Sequence, residues 1–319
     1  MAFDGITTKA VITELQQTLI GGKINKIFQP TKNEIILNIY NQSNYTLLLS
    51  ANPDYCRIHL TSHTKPNPQN APNFCMLLRK YLIGAKIIEI SNYDLERTVQ
   101  IKFETYNELN DLVIRKLFVQ IMNRQSNIIL TNENNIIIDS LKHFENALPA
   151  HPFEFTKITK KSFLELPTQN DLTNLINHEN LMTILPDTFI GFSKSFVKNL
   201  LNFLNINPAD YSETNVQKIY ETLQTICSNF GTNQICVKLF EDDYSILPEI
   251  SQTTINTSID EFYYEKEQKT AFISSRNNLL RIVLRKFKKS SQKIRKYSNK
   301  ITRMPKHGHI SPIWRTLNR

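Results

Sequence analysis

From Leu280 onward the chain spells a heptad. Leu280, Phe287, Ile294 and Ile301 recur at one position, and Val283, Ser290, Tyr297 and Met304 at the other. Ser290 is the polar member of an otherwise apolar seam. Such a seam specifies a helix that seeks a partner helix along one edge. Pro305, Gly308 and Pro312 then cut the pattern, because proline lacks a helix donor and glycine is a poor helix former. The expectation is one long helix from Asp260 to Ser298, the core of a coiled-coil arm starting over 253–303. Residues 304–319 carry no such pattern. A helix that begins a coiled coil and never finds its returning partner suggests a longer protein that has lost its end.

Charge follows the same division. Of 38 basic residues, 15 lie after Glu267, where no Asp or Glu occurs; the first 267 residues hold 23 basic and 29 acidic groups. The positive charge therefore belongs to the arm. A basic helix can track phosphates, and it can equally be the solvated face of a coiled coil whose partner carries the acids. The two readings are compatible. Cys56, Cys75, Cys227 and Cys236 show neither CxxC nor zinc spacing, so reduced thiols and a cytoplasmic location are expected. The N-terminus has no basic n-region, and no apolar run approaches a membrane span, so no membrane partner is expected.

Residues 1–165 read as mixed α/β. A helix at Ala10–Leu19 stops at Gly21-Gly22. Short β-rich runs follow at 23–29, 34–40, 45–50 and 57–61. Pro66, Pro68 and Pro72 mark a loop leading into a helix from Asn73 to Leu82, stopped by Gly84. Further strands are expected at 86–91, 98–105, 116–121, 127–131 and 136–140. No repeat unit of 20–50 residues is visible. Residues 166–252 read as an all-α region of short helices, with one expected at Asp171–Ile184. Gly191 there forms a tight turn, and Ser193 is an N-cap for the helix that follows. A turn of this kind between two helices is how a helix-hairpin-helix offers backbone N–H groups to phosphate, which makes Gly191, Ser193 and Lys194 phosphate-contact candidates. The fold class is thus α+β, with the arm last.

Enzyme signatures are thin. There is no glycine-rich phosphate loop, GxSxG elbow, HExxH or EF-hand pattern, so no catalytic residue, metal or cofactor is assigned. His59 on a strand reads as structural. Three polar sets remain: Asp4-Gly5 at the start, Glu96-Arg97 ahead of a β-run, and Asn123-Arg124-Gln125-Ser126-Asn127 between two strands. Taken alone, each reads first as a surface ion pair or a turn.

The order of several blocks adds context: Ala2-Phe-Asp-Gly5, Arg57-Ile-His-Leu-Thr61, Pro72 to Leu82 with its Phe-Cys-Met-Leu-Leu-Arg-Lys core, Leu95-Glu-Arg-Thr-Val-Gln-Ile101, Met122 to Leu130, and Ile138-Asp-Ser-Leu-Lys142. Together, over about residues 1–303, they resemble the NFACT family. The resemblance implies a factor of ribosome quality control that is not an enzyme. Such proteins bind 50S subunits, and hence 23S rRNA, when a stalled peptidyl-tRNA blocks them. They recruit alanyl-tRNA for untemplated C-terminal alanine tailing, and the ribosome performs peptidyl transfer. The resemblance also implies tRNA binding through Asp4, Glu96, Arg97, Arg124, Ser126 and Asn127. Against the longer coiled coil of that family, residues 304–319 are read as an out-of-frame tail, and the chain as a C-terminally shortened form with impaired activity. Two departures stand out. Glu96 replaces an Asp, which lengthens the arm by one methylene, and Asn123 replaces a Gly, which matters if the backbone there needs positive φ. Two rival readings are a fibronectin-binding adhesin, after an older label of the family, and a DNA glycosylase. The second would need an N-terminal Pro-Glu, where this chain has Ala2-Phe3.

Overall fold

The computed structural model describes residues 3–302, apart from 156–158, 166–167, 177–179, 211 and 242. The proposed tail, 304–319, therefore lies outside the described residues. Contacts divide the chain into two units, 1–263 and 264–319.

The first unit opens with helix α1 (Gly5–Leu19), which starts earlier than the expected Ala10. Its first turn carries Ile6, Thr7 and Thr8, all weak helix formers. Asp4 offsets this by accepting a hydrogen bond from the Thr7 backbone at 3.0 Å as N-cap. Ile6, Ala10, Val11, Leu15 and Leu19 are buried along one face. Strands β1 (Lys23–Thr31), β2 (Glu34–Asn41), β3 (Ser43–Ser50) and β4 (Arg57–Leu60) follow as an antiparallel meander. Helix α2 (Asn73–Leu82) then leads into a second meander. It comprises β5 (Lys86–Asn92), β6 (Thr98–Tyr106), β7 (Leu112–Gln120), β8 (Asn127–Asn132) and β9 (Ile137–Ser140). All nine strands form one sheet in the order β4-β3-β2-β1-β5-β6-β7-β8-β9. The sheet curls, since loops at its two ends touch. The Lys142 ammonium donates to the Ala51 carbonyl at 2.6 Å, and Cys56 Sγ lies 3.8 Å from Asn123 Oδ1.

The two meanders begin alike. Leu19-Ile-Gly-Gly-Lys-Ile24 ends α1 and starts β1; Leu82-Ile-Gly-Ala-Lys-Ile87 ends α2 and starts β5. Gly21 and Gly84 both have positive φ, 89° and 79°. The strands meet through reciprocal bonds. Gly21 N donates to Ile87 O and Gly84 N to Ile24 O, each at 2.8 Å; Ile24 N donates to Ala85 O and Ile87 N to Gly22 O. Lys23 pairs with Lys86 at the centre. Even the bulges match, between Ile24 and Lys26 in one strand and between Ile87 and Glu89 in the other. The buried faces of the helices correspond too: Val11, Ile12, Leu15 and Leu19 against Phe74, Cys75, Leu78 and Leu82.

Beyond the sheet the expected helix at 171–184 is two helices, α3 (Gln169–Ile176) and α4 (Leu181–Thr188). Asn180 explains the restart, because its side chain accepts from Met182 N at 2.9 Å and caps α4. Then come α5 (Lys194–Leu204), α6 (Glu213–Ser228) and a small hairpin of β10 (Cys236–Leu239) and β11 (Tyr244–Leu247), which the sequence pattern did not reveal. The α5 side chain of Asn199 donates to Ser245 of β11, which ties hairpin to helix. One apolar core runs from α1 and the sheet through α3–α6 to Tyr263.

Helix α7 spans Ile255–Thr302. Its first turns belong to the first unit and are bolted down by polar groups. The Glu14 carboxylate of α1 accepts from Ile255 N, Asn256 N and the Asn256 amide at 2.7–2.9 Å, serving as the anion at this helix N-terminus. Asn256 Oδ1 accepts from Leu60 N, and Asp260 accepts from Ser62 N. In the second unit, residues 268–299 are all exposed, the heptad members Leu280, Val283, Phe287, Ile294 and Tyr297 among them.

Candidate nucleic-acid interface

Two of the polar sets singled out in the sequence meet the phosphate-contact candidates of the 191–193 turn at one point of the first unit. Asp4 precedes α1, Glu96-Arg97 closes the loop between β5 and β6, and Gly191 to Ser193 form the turn between α4 and α5. A cleft of about 220 Å³ opens here, lined by Asp4, Glu96, Arg97, Lys160, Gly191 and Phe192 among others.

Each segment has a local reason for its shape. In the β5–β6 loop the Asn92 amide donates to the carbonyls of Asp94 and Glu96, and Asp94 takes φ 49°. That bracket folds the loop tightly and leaves Glu96 and Arg97 half-exposed at its end. The Glu96 carboxylate turns back toward the Arg97 backbone N–H at 3.3 Å. The α4–α5 turn stands on packed rings, Phe163, Phe189 and Phe192, with centroids 5.5–5.7 Å apart. Gly191 has φ 80°, as the sequence reading of a tight turn requires. The Ser193 hydroxyl accepts from Phe196 N at 2.9 Å, capping α5.

The segments touch through their backbones. Gly5 N donates to Gly191 O at 3.0 Å. A Cβ on Gly5 would stand 1.9 Å from the Leu95 carbonyl oxygen and 2.3 Å from Gly191 Cα, and a Cβ on Gly191 would stand 2.6 Å from the same oxygen. Only glycines allow this approach. Asp4 is 5 % exposed. Its Oδ1 accepts from Thr7 N, and its Oδ2 accepts from the Ser193 hydroxyl at 2.9 Å. Burial raises its pKa from 3.8 to about 6, opposed by the hydrogen bonds from Thr7 and Ser193 and by the Arg97 guanidinium. Among the phosphate-contact candidates, the Gly191 carbonyl and the Ser193 hydroxyl are thus engaged within the protein, while Lys194 is exposed at the first position of α5.

The third polar set, Asn123 to Asn127, sits apart from this cleft, at the end of β7. The two places connect through the sheet, where Ile121 N donates to Arg97 O at 3.0 Å. Asn123 takes φ 51°, the left-handed conformation that a Gly at this position would adopt freely and that Asn tolerates. Ser126 and Asn127 are fully buried. The Ser126 hydroxyl accepts from Met122 N at 2.7 Å. The Asn127 side chain accepts from Ile128 N and Lys142 N and donates to Lys142 O. These two residues hold the loop, and the exposed Arg124 is what the loop presents.

Two features of the site escaped the sequence reading. Tyr93 and Phe155, 65 % and 54 % exposed, line a second cleft of about 470 Å³ that shares Glu96 with the first. Lys160 reaches the cleft rim while its ammonium donates to Pro186 O. Both depend on contacts between distant segments. His59 lies in the core, its Nε2 accepting from Arg57 Nε at 3.0 Å. Among the described residues no group of His, Cys, Asp and Glu is arranged to hold a metal ion, and no helix is long and apolar enough to cross a membrane.

Comparison with known proteins gives consistent answers. A family model described as NFACT N-terminal and middle domains matches residues 4–310. The Rqc2 homolog RqcH of Bacillus subtilis (strain 168) is 32 % identical over 318 residues, covering 93 % of this chain and 55 % of that protein. Human ribosome quality control complex subunit NEMF is 25 % identical over 141 residues, 44 % of this chain and 12 % of that one. Among solved structures, the N-terminal part of the fibronectin/fibrinogen-binding protein of Streptococcus suis aligns with a TM-score of 0.68 at 28 % identity, covering 83 % of this chain and all of that one. Its presence agrees with the mixed α/β reading of the sheet domain. The chain spans about half the length of the bacterial relatives it matches.

Proposed function

This chain belongs to the NFACT family, and from that premise we propose that it acts in ribosome quality control as a tRNA- and ribosome-binding factor, not as an enzyme. In this reading it binds 50S subunits that carry a stalled peptidyl-tRNA, contacts 23S rRNA, and recruits alanyl-tRNA for untemplated alanine tailing. The ribosome performs the chemistry, so the chain needs a surface that fits RNA and no catalytic group.

The observation that carries the reading is the convergence of Asp4, Glu96-Arg97 and the 191–193 turn on one cleft. Arg97 supplies a planar, permanently charged donor suited to phosphate or a base edge. Lys194 and Arg124 add exposed cations. Tyr93 and Phe155 offer ring faces on which unpaired bases stack. The basic stretch of α7 adds non-specific attraction to RNA that weakens with salt.

The test is direct binding of labelled alanyl-tRNA to the purified chain across a salt series. Arg97→Ala is expected to weaken binding about tenfold and to flatten the salt slope by about one, while stability changes by no more than about 0.5 kcal/mol. Unchanged affinity with a large loss of stability makes the arginine structural and defeats the reading. A second reading, binding of fibronectin, draws on the name of the Streptococcus suis neighbour. Surface labelling of intact cells separates the two.

A further inference from the structure

We propose that Asp4 is a positioning residue, a buried clasp that holds the start of α1, the α4–α5 turn and the Arg97 loop in one arrangement, so that Arg97 and not Asp4 meets the RNA. The inference rests on the reading of Arg97 as a tRNA contact and adds how that contact is held in place.

Three observations carry it. First, Asp4 has little surface to offer, being 5 % exposed, and each carboxylate oxygen already accepts a bond, one from Thr7 N and one from the Ser193 hydroxyl. Second, that carboxylate stands at two helix N-termini at once. It caps α1 directly and reaches α5 through Ser193, whose hydroxyl in turn accepts from Phe196 N. An anion is favoured at each end, and here the protein supplies it from within, in the place a phosphate would take. Third, the next residue makes the junction rigid. Gly5 N donates to Gly191 O, and the backbones of Gly5, Leu95 and Gly191 approach so closely that none can slide without the others. Leu95 is two residues from Arg97, so moving α1 or the turn moves the guanidinium.

The charged and titratable groups around the carboxyl are Arg97 and Glu96 from the β5–β6 loop, Lys160 from the segment before α3 and Tyr244 from β11. An asparagine at position 4 keeps an acceptor for Thr7 N and offers a donor to the Ser193 oxygen, so it preserves the clasp while removing the charge.

The experiment compares alanyl-tRNA affinity of the full chain with that of Asp4→Asn, Asp4→Ala, Ser193→Ala and the Asp4→Ala/Ser193→Ala double variant. Asp4→Asn is expected to stay within about threefold of the parent, and Asp4→Ala and Ser193→Ala to lose about tenfold each, with the double variant no weaker than the worse single. Where Asp4→Ala proves too unstable to measure, Ser193→Ala, which cuts one bond, carries the same comparison with Asp4→Asn. A clasp also reports on Arg97 without RNA. The Arg97 Nε–H resonance of the free protein should titrate near pH 6 in the parent and stay fixed in Asp4→Asn. Loss of affinity in Asp4→Asn as deep as in Asp4→Ala, additive losses in the double variant, or an Arg97 resonance that titrates alike in parent and Asp4→Asn would overturn the proposal. A parent chain that shows the titration yet has no affinity for tRNA upholds the clasp and defeats the functional reading instead.

Discussion

Helices α1 and α2 start two halves of one sheet through the same short motif, and they end up doing different work. Each runs into Leu-Ile-Gly, turns on a positive-φ glycine, and delivers a Lys-Ile strand to the centre of the sheet. The reciprocal bonds between them are those of a two-fold contact, residue for residue. At their other ends the likeness stops. Helix α1 extends through Ile6 to Gly5, and Asp4 caps it against α5. Helix α2 begins after a proline-rich stretch at Pro72, with no side-chain cap. The shared part is scaffold. The site lies where α1 extends beyond the shared part, so that its first turn meets the β5–β6 loop of the second half. This comparison predicts that substitutions in the shared part cost modestly and alike, while those at the extended end cost more and act on binding.

The sharpest way to break it is Gly5→Ala. Its Cβ would collide with the Leu95 carbonyl at 1.9 Å, a backbone atom that has nowhere to go. Destabilisation of about 3 kcal/mol is expected in urea titrations. A loss below about 1 kcal/mol would mean that the junction is loose and the two helix starts are equivalent after all.

Next comes pH. The Asp4 pKa is raised to about 6 in the folded chain, chiefly by burial. The folded state therefore holds this proton at pH values where the unfolded chain, near 3.8, has released it. The stabilisation is complete below about pH 4 and fades as pH rises through about 6. Relative to Asp4→Asn, the parent should lose stability over that window by an amount on the order of 3 kcal/mol, read from paired unfolding curves. A constant difference between the two proteins from pH 4 to pH 7 would place Asp4 in water.

The smallest effects belong to the shared turns. Gly21→Ala and Gly84→Ala add a Cβ that meets nothing within 4 Å, so only the positive φ is penalised. Each should cost about 1–2 kcal/mol, and the two should agree. A clear inequality in thermal unfolding would show that the halves are alike in trace and not in energetics.

Much of this frame was legible from the chain. The alternation in 98–105 and the Pro72-to-Gly84 interval predict β6 and α2 because their physics is local: side-chain period, a fixed proline φ, a glycine stop. Ser193 was readable as a cap for the same reason. What lay hidden depends on distance. Asp4 and Ser193 are 189 residues apart, so nothing in either stretch announces their bond. The kinship of the two halves also escaped, because Gly21 and Gly84 lie farther apart than the repeat lengths usually sought and only a short motif is shared. Ser126 and Asn127 were named as contacts through the family resemblance; the structure buries both and engages their polar groups with Met122, Ile128 and Lys142. Hairpin β10–β11 was missed because each strand is four residues long and gains its stability from α5.

The Glu14 carboxylate gives the last lesson, one of timing. It waits in the first helix to be made, and the backbone donors it serves, at Ile255 and Asn256, lie 241 and 242 residues downstream. Contacts of such separation are slow to form, since a long loop must close before they reward it. On a translating ribosome the opening helix therefore leaves the tunnel with a half-buried acid still unpaired, and it cannot be completed until most of the chain has followed it out.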